Sequence, residues 1–112
     1  MPISTVIHTN EQSIDRVLAA RAPVLLVFWS KGTPLAAPVE STLDKLAQQY
    51  TGKAIIAKVD TEAERNLATK YAPPSLPAIV LMRGGKADAT LTGEDLTRAG
   101  EWLAYAVDGK AR

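Results

Sequence analysis

The segment Ser30–Pro38 is the first place in this chain where side chains could be held for chemistry. It follows an apolar run, Val24–Trp29, that predicts a buried strand, and it precedes a stretch whose pattern predicts a helix. A pair of cysteines at such a junction would supply thiol–disulfide chemistry, because a helix N-terminus favours the thiolate form. The chain contains no cysteine. Thiol chemistry, disulfide bonds and cysteine-ligated metal sites are therefore excluded for this chain.

The other residues with chemical potential do not form a recognisable site. His8 is the only histidine and no nucleophile elbow is present, so a Ser-His-Asp hydrolase is excluded. Asp60, Glu62 and Glu64 are closely spaced, but they lack the glycine of a calcium loop. The segment 83–86, RGGK, lacks the spacing of a phosphate-binding loop. We therefore predict no metal and no cofactor.

Composition and charge are those of an ordinary globular protein. Of the 112 residues, 46% are hydrophobic and 22% are charged, which favours a compact domain over a disordered segment. We predict one domain over residues 1–112. The formal net charge is +1 and the basic residues are scattered, so a nucleic-acid partner is not expected. The chain has neither a membrane-length apolar run nor a signal sequence, which predicts no membrane association and a cytoplasmic location.

Hydrophobic periodicity predicts an alternating order of strands and helices. β-Branched or continuous apolar runs predict five strands, at residues 3–7, 24–29, 54–60, 76–82 and 87–92. Apolar stripes at helical spacing predict four helices, at residues 9–23, 34–50, 61–71 and 95–107. The order βαβαβαββα implies right-handed crossovers between parallel strands and a final antiparallel hairpin. The predicted fold is α/β, with a mixed central sheet of five strands flanked by four helices.

Capping patterns predict where two of these helices begin. Thr9 with Gln12, and Thr61 with Glu64, have the spacing of a capping box. In that arrangement the threonine hydroxyl accepts a hydrogen bond from a free backbone N–H of the first turn.

The helix after the Ser30–Pro38 segment has a different predicted start. Thr33 followed by Pro34 favours threonine at the N-cap and proline at the first helical position. Pro38 would then lie inside the helix, where we expect it to remove one hydrogen bond and to cause a kink.

Several short motifs together resemble one known family. Phe28–Trp29 is similar to the aromatic pair before the active-site loop of thioredoxins, and LDKLAQQY at residues 43–50 is similar to the second half of the helix after that loop. AKVD at residues 57–60 matches the central strand, and LPAIVLMRGGK at residues 76–86 matches the segment that begins with the family's cis-proline. Over residues 24–107 the chain resembles the thioredoxin family almost without gaps.

The resemblance places the family's redox motif, Cys-x-x-Cys, on positions that hold no cysteine. Thr33 stands in the place of the first cysteine and Ala36 in the place of the second. A threonine hydroxyl cannot attack a disulfide as a thiolate does. The buried aspartate that assists proton transfer in the family falls on Val27, and the tryptophan before the first cysteine falls on Gly32. The resemblance therefore implies a family member without the redox chemistry.

Loss of that aspartate also affects Lys58. In the family the matching lysine lies near the buried aspartate, so here its ammonium group lacks that partner. An unpaired buried charge is costly. We therefore predict that the Lys58 head group reaches solvent or pairs with another acid such as Asp60.

The resemblance also implies a cis peptide bond before Pro77 and a surface beside it that binds an extended peptide. In the family the backbone of the residue before this proline, here Leu76, pairs with the partner, and Gly93 corresponds to a glycine beside the groove. Such strand addition needs no sulfur. The predicted binding residues are Trp29, Thr33, Pro34, Leu76, Pro77 and Gly93.

Three functions remain open on the sequence alone. The first is a redox-inactive protein, not an enzyme, that binds proteins or extended peptides as a chaperone-like or adaptor module. The second is a thioredoxin-type disulfide oxidoreductase whose own cysteines were lost or replaced, with thiols supplied by a partner. The third is a structural domain with a vestigial groove, in which Trp29 only packs in the core and the Pro77 turn only shapes the entry to a strand.

Overall fold

The computed structural model of the chain describes residues 6–19, 22–32, 35–71, 75–83, 86–92, 96 and 98–108. The strands are β1 (Ile7–His8), β2 (Val24–Trp29), β3 (Ile55–Asp60), β4 (Ala78–Arg83) and β5 (Lys86–Thr92). The helices are α1 (Ile14–Ala19), α2 (Ala37–Gln49), α3 (Arg65–Tyr71) and α4 (Ala99–Asp108). This is the predicted order. In the described ranges, no helix is long and apolar enough to cross a membrane.

The five strands form one mixed sheet in the order β1-β3-β2-β4-β5. Strands β1, β3 and β2 run parallel, whereas β4 and β5 are antiparallel to their neighbours. The carboxyl ends of β1, β3 and β2 therefore lie at the same edge of the sheet as the start of β4. We call this edge the C-terminal edge. The turns that follow β2 and β3 meet the residues before β4 there.

The continuous apolar run of β2 follows from its central position in the sheet. Leu25 and Val27 face the side where α2 and α4 pack, and Leu26 and Phe28 face the side where α1 and α3 pack. β2 pairs with a strand on each edge and is covered on both faces. Burial of every side chain from Val24 to Phe28 is therefore favourable, as in other doubly covered strands.

Helix α1 begins at Ile14 rather than at residue 9, and the turn that leads into it is capped by a different residue from the one predicted. The Asn10 Oδ1 atom accepts hydrogen bonds from the backbone N–H groups of Gln12 and Ser13, both at 2.9 Å. The Asn10 N–H donates in return to the Ser13 Oγ atom. Thr9 is buried, and its hydroxyl shares a hydrogen bond with the Ser13 hydroxyl instead. Asn10, one position after Thr9, therefore provides the cap, and the predicted Thr9 cap is wrong.

Helix α3 begins at Arg65 rather than at residue 61, and the turn before it, at residues 61–63, shows the same correction. The Asp60 Oδ1 atom accepts hydrogen bonds from the N–H groups of Glu62 at 3.0 Å and Ala63 at 3.4 Å. Thr61, the predicted cap, directs its hydroxyl away from α3, and Glu64 accepts from the loop before α1. The short carboxylate of aspartate is as strong a helix cap as any residue type, and here the end of β3 places it at the right position.

Helix α2 begins at Ala37 rather than near Pro34, and its N-cap is Ala36 rather than Thr33. Thr33 and Pro34 themselves lie outside the described residues. This start puts Pro38 in the first turn, where a backbone N–H has no acceptor within the helix. The predicted loss of a helical hydrogen bond at Pro38, and the kink attributed to it, are therefore wrong. A longer helix would hold this proline in its interior at a cost of about 3 kcal/mol.

Replacing Ala36 by aspartate should stabilise the protein. Ala36 has the extended backbone of an N-cap residue, with φ −65° and ψ 148°, but its side chain makes no capping hydrogen bond. An aspartate there can accept from the backbone N–H of Val39, since Pro38 has none, and this bond should contribute about 0.5–2 kcal/mol to the free energy of unfolding. Urea denaturation measures the gain, and Ala36→Leu is the control without a capping group. Equal stability of the two variants would contradict a helix start at Ala37.

Candidate functional site

The end of β2 is fixed to the turn after β3 at the C-terminal edge. The strand register pairs Trp29 with Asp60 and Phe28 with Ala78, so the ends of β2 and β3 and the start of β4 are neighbours. The backbone N–H and the hydroxyl of Thr61 both donate to the Trp29 carbonyl oxygen, at 2.9 Å and 3.1 Å. The backbone that leads into the segment after β2 is thereby held in place.

The residues before β4 carry the predicted binding backbone. The Leu76–Pro77 peptide bond is cis, the isomer implied by the resemblance. Both residues are half-buried, and Leu76 packs against the apolar cluster on the α1 and α3 side of the sheet. Within the described part of the chain, the Leu76 backbone makes no hydrogen bond. Its N–H and C=O groups are available for pairing with an extended chain, as strand addition requires.

Trp29 contributes an apolar surface rather than a hydrogen-bond donor. Its side chain is half-buried and packs against the apolar cluster on the α2 and α4 side. The indole Nε1 atom is enclosed, and it has no acceptor among the described residues. A partner at this edge could therefore contact the exposed part of the ring but not its N–H group.

Lys58 pairs with an acid, as predicted, but the acid is Glu40 rather than Asp60. Val27 and Lys58 are register partners in β2 and β3, and Val27 is fully buried. The Lys58 Nζ atom lies 3.2 Å from the Glu40 Oε1 atom on α2, while the Asp60 carboxylate accepts hydrogen bonds from the turn before α3. The Lys58 side chain is only 17% exposed. The stem of Lys58 is therefore mostly buried, and its ammonium group has an acidic partner although its neighbour in β2 is Val27.

The structure describes part of the predicted binding surface. Trp29 and the Leu76–Pro77 pair lie at the C-terminal edge, and Ala36, which the resemblance puts in the place of the second cysteine, is exposed before α2. The remaining predicted residues lie outside the described part of the chain: Thr33, Pro34 and Gly93.

Sequence reasoning missed one contact that shapes this site. The Glu62 Oε2 atom accepts a hydrogen bond from the backbone N–H of Lys31 at 2.9 Å. The two residues are 31 positions apart, so no local spacing indicates the contact. It arises because β2 and β3 are parallel neighbours whose following turns meet.

The titratable residues that the structure describes do not converge on a metal centre. His8 is exposed on β1. Within these ranges, no group of three or more His, Cys, Asp or Glu side chains is placed to hold a metal ion.

Comparison with known proteins identifies the family. Residues 4–104 match the family model described as Thioredoxin. The chain belongs to the thioredoxin family. It is 33% identical over 93 residues to a thioredoxin from Griffithsia pacifica, with 83% of this chain and 84% of the relative covered. It is 30% identical over 92 residues to the chloroplastic thioredoxin M5 from Oryza sativa subsp. japonica, covering 81% of this chain and 54% of that longer relative.

Solved thioredoxin structures confirm the fold. A mutant thioredoxin from Halobacterium salinarum superposes with a TM-score of 0.81 at 20% sequence identity, covering 96% of this chain and 95% of that chain. A thioredoxin from Malassezia sympodialis superposes with a TM-score of 0.82 at 17% identity, with the same coverage. This thioredoxin-family chain thus combines the family's α/β fold with a sequence that has no cysteine.

Proposed function

We propose that this chain is a redox-inactive member of the thioredoxin family that binds extended polypeptides beside the Leu76–Pro77 loop. One observation carries the proposal: the Leu76 backbone, directly before the cis Pro77, makes no hydrogen bond within the described part of the chain. The absence of cysteine removes the redox step and leaves this backbone edge intact. A chaperone-like or adaptor role follows from such binding.

The chemistry of this edge suits an extended chain. Leu76 would supply main-chain hydrogen bonds, which give affinity without requiring a particular sequence. The indole ring of Trp29 and the side chain of Leu76 are both half-buried, and their exposed parts would cover apolar residues of the partner. The proposed partner is therefore a protein segment in extended conformation, rather than a nucleic acid or a membrane. A cytoplasmic location stays a prediction.

Binding should be measured with reduced, carbamidomethylated α-lactalbumin, a permanently unfolded polypeptide, by fluorescence anisotropy. The chain should bind this probe and should not bind native α-lactalbumin. The resemblance places Gly93 beside the groove, so Gly93→Leu should weaken binding, and the melting temperature is measured on the same samples. Gln49→Leu is the matched control, because Gln49 is exposed at the far end of α2.

Either of two results would overturn the proposal. One is that the chain fails to bind the unfolded probe. The other is that Gly93→Leu and Gln49→Leu bind it equally well while both retain the parent melting temperature, because binding would then occur elsewhere on the molecule.

The alternative function is disulfide exchange, which the names of the relatives favour. This chain has no thiol to form a mixed disulfide, so a partner would have to supply both thiols. We expect the purified protein to reduce insulin disulfides no faster than buffer containing the same dithiothreitol. A rate that rises in proportion to protein concentration, and that persists after contaminating reductases are removed, would favour the alternative.

A further inference from the structure

Strand β3 and the turn after it contact both ends of the segment that carries the former redox positions. Three side chains make these contacts, Lys58, Thr61 and Glu62, and we call them the β3 brace. None of the three side chains belongs to the family's redox motif. All three contacts lie next to the proposed binding surface.

The first end of the segment is held by the turn after β3. The Thr61 hydroxyl and N–H converge on the Trp29 carbonyl oxygen, and the Glu62 carboxylate accepts from the Lys31 N–H. A carboxylate that accepts from a backbone N–H makes a stronger bond than a neutral group does. Trp29, the last residue of β2, and Lys31, two positions later, are therefore both held by the turn after β3.

The second end of the segment is held by β3 itself. Lys58 reaches Glu40, whose backbone N–H donates to the Ala36 carbonyl oxygen in the first turn of α2. That turn lacks a side-chain cap, and Pro38 has no N–H to contribute. The Lys58–Glu40 ion pair is therefore a tertiary contact that fastens the start of α2 to the sheet.

We infer that the β3 brace is a positioning element for polypeptide binding. It holds the Trp29 backbone and the start of α2 at a fixed separation across residues 30–36, so that Trp29 faces a partner paired with Leu76. Thr61 and Glu62 act through the backbone of the neighbouring turn and need not touch the partner. This inference rests on the proposed function.

Pairs of variants separate the hydrogen bonds from the rest of each side chain. Thr61→Val removes the hydroxyl at nearly constant shape, and Thr61→Ser retains it. Glu62→Ala removes the acceptor, and Glu62→Gln retains one. Glu64→Ala is the matched control, because Glu64 lies in the same turn but accepts from the Glu11 N–H, in the loop before α1.

Each variant is made with fluorotryptophan, and two fluorine resonances are followed by NMR. Trp102→Phe assigns them, after which Trp29 reports on the site and Trp102, on α4, reports on the fold. Affinity for carbamidomethylated α-lactalbumin is measured on the same samples. Thr61→Val and Glu62→Ala should shift the Trp29 resonance alone and weaken binding about tenfold, whereas Thr61→Ser, Glu62→Gln and Glu64→Ala should stay within about twofold of the parent.

The outcomes distinguish the two proposals. If the parent chain does not bind the unfolded probe, the proposed function fails and the brace loses its role with it. If the parent binds and Thr61→Val and Glu62→Ala bind equally well, the brace inference alone fails. It also fails if both tryptophan resonances move together, or if Glu62→Gln weakens binding as much as Glu62→Ala.

Discussion

Changing Thr33 and Ala36 together to cysteine should give this chain disulfide reductase activity that the parent lacks. The resemblance places both positions in the family's redox motif, and the structure places Ala36 at the N-cap of α2. The free N–H groups and the dipole of the first turn favour a thiolate beside them, so they should lower the pKa of a thiol introduced at position 36. The sequence alone favours a helix start at Thr33 instead, which would place the more acidic thiol at position 33.

The single variants are the controls. Each can attack a disulfide, but it cannot resolve the mixed disulfide within its own chain. Alkylation by iodoacetamide across a range of pH should show that the Ala36→Cys variant has the lower thiol pKa. If the double variant neither forms an internal disulfide nor turns over insulin faster than both singles, then the placement of the redox motif on Thr33 and Ala36 is wrong.

The restored activity should remain below that of a thioredoxin that has the whole family motif. Val27 is fully buried and cannot transfer a proton, and Gly32 supplies no aromatic side chain. The missing aromatic side chain can be added, because among the described residues a Cβ atom at Gly32 would contact only the Ser30 Oγ atom, at 3.9 Å. Introducing Gly32→Trp into the double cysteine variant should therefore be tolerated and should raise the turnover.

Replacing Phe28 by alanine should lower the free energy of unfolding by about 3–5 kcal/mol. Phe28 is fully enclosed in the central strand, and its ring centroid lies 5.8 Å from that of Tyr71 on α3. The substitution would leave a cavity between two layers that can close only if the sheet moves. Because globular domains have a stability of only about 5–15 kcal/mol, the loss would be a large share of the total.

Urea denaturation of the parent, Phe28→Ala and Phe28→Leu measures this loss. Phe28→Leu should cost much less, since it retains most of the apolar volume and needs little rearrangement. A Phe28→Ala variant as stable as Phe28→Leu would mean that the α1 and α3 face of the sheet can collapse onto the site.

Much of the fold could be predicted from local pattern. The run Val24–Trp29 is apolar at every position, which is typical of a strand covered on both faces. In the structure this run is the central strand, β2. The alternation of strands with amphipathic helices then gave the order of elements. Helix starts were less predictable: Thr9 and Asn10, like Asp60 and Thr61, are adjacent residues with capping side chains, and the point where the preceding strand ends decides between them.

The sequence by itself determined the order of elements, the buried central strand and the absence of thiol chemistry, because each depends on residue type or on spacing within a single element. Only the tertiary structure decided that Lys58 pairs with Glu40, that Glu62 holds the Lys31 N–H and that α2 starts at Ala37. The two side-chain contacts join residues 18 and 31 positions apart. The register of β2 against β3 and the packing of α2 on the sheet bring these residues into contact. The spacing of residues within one element predicts neither of them.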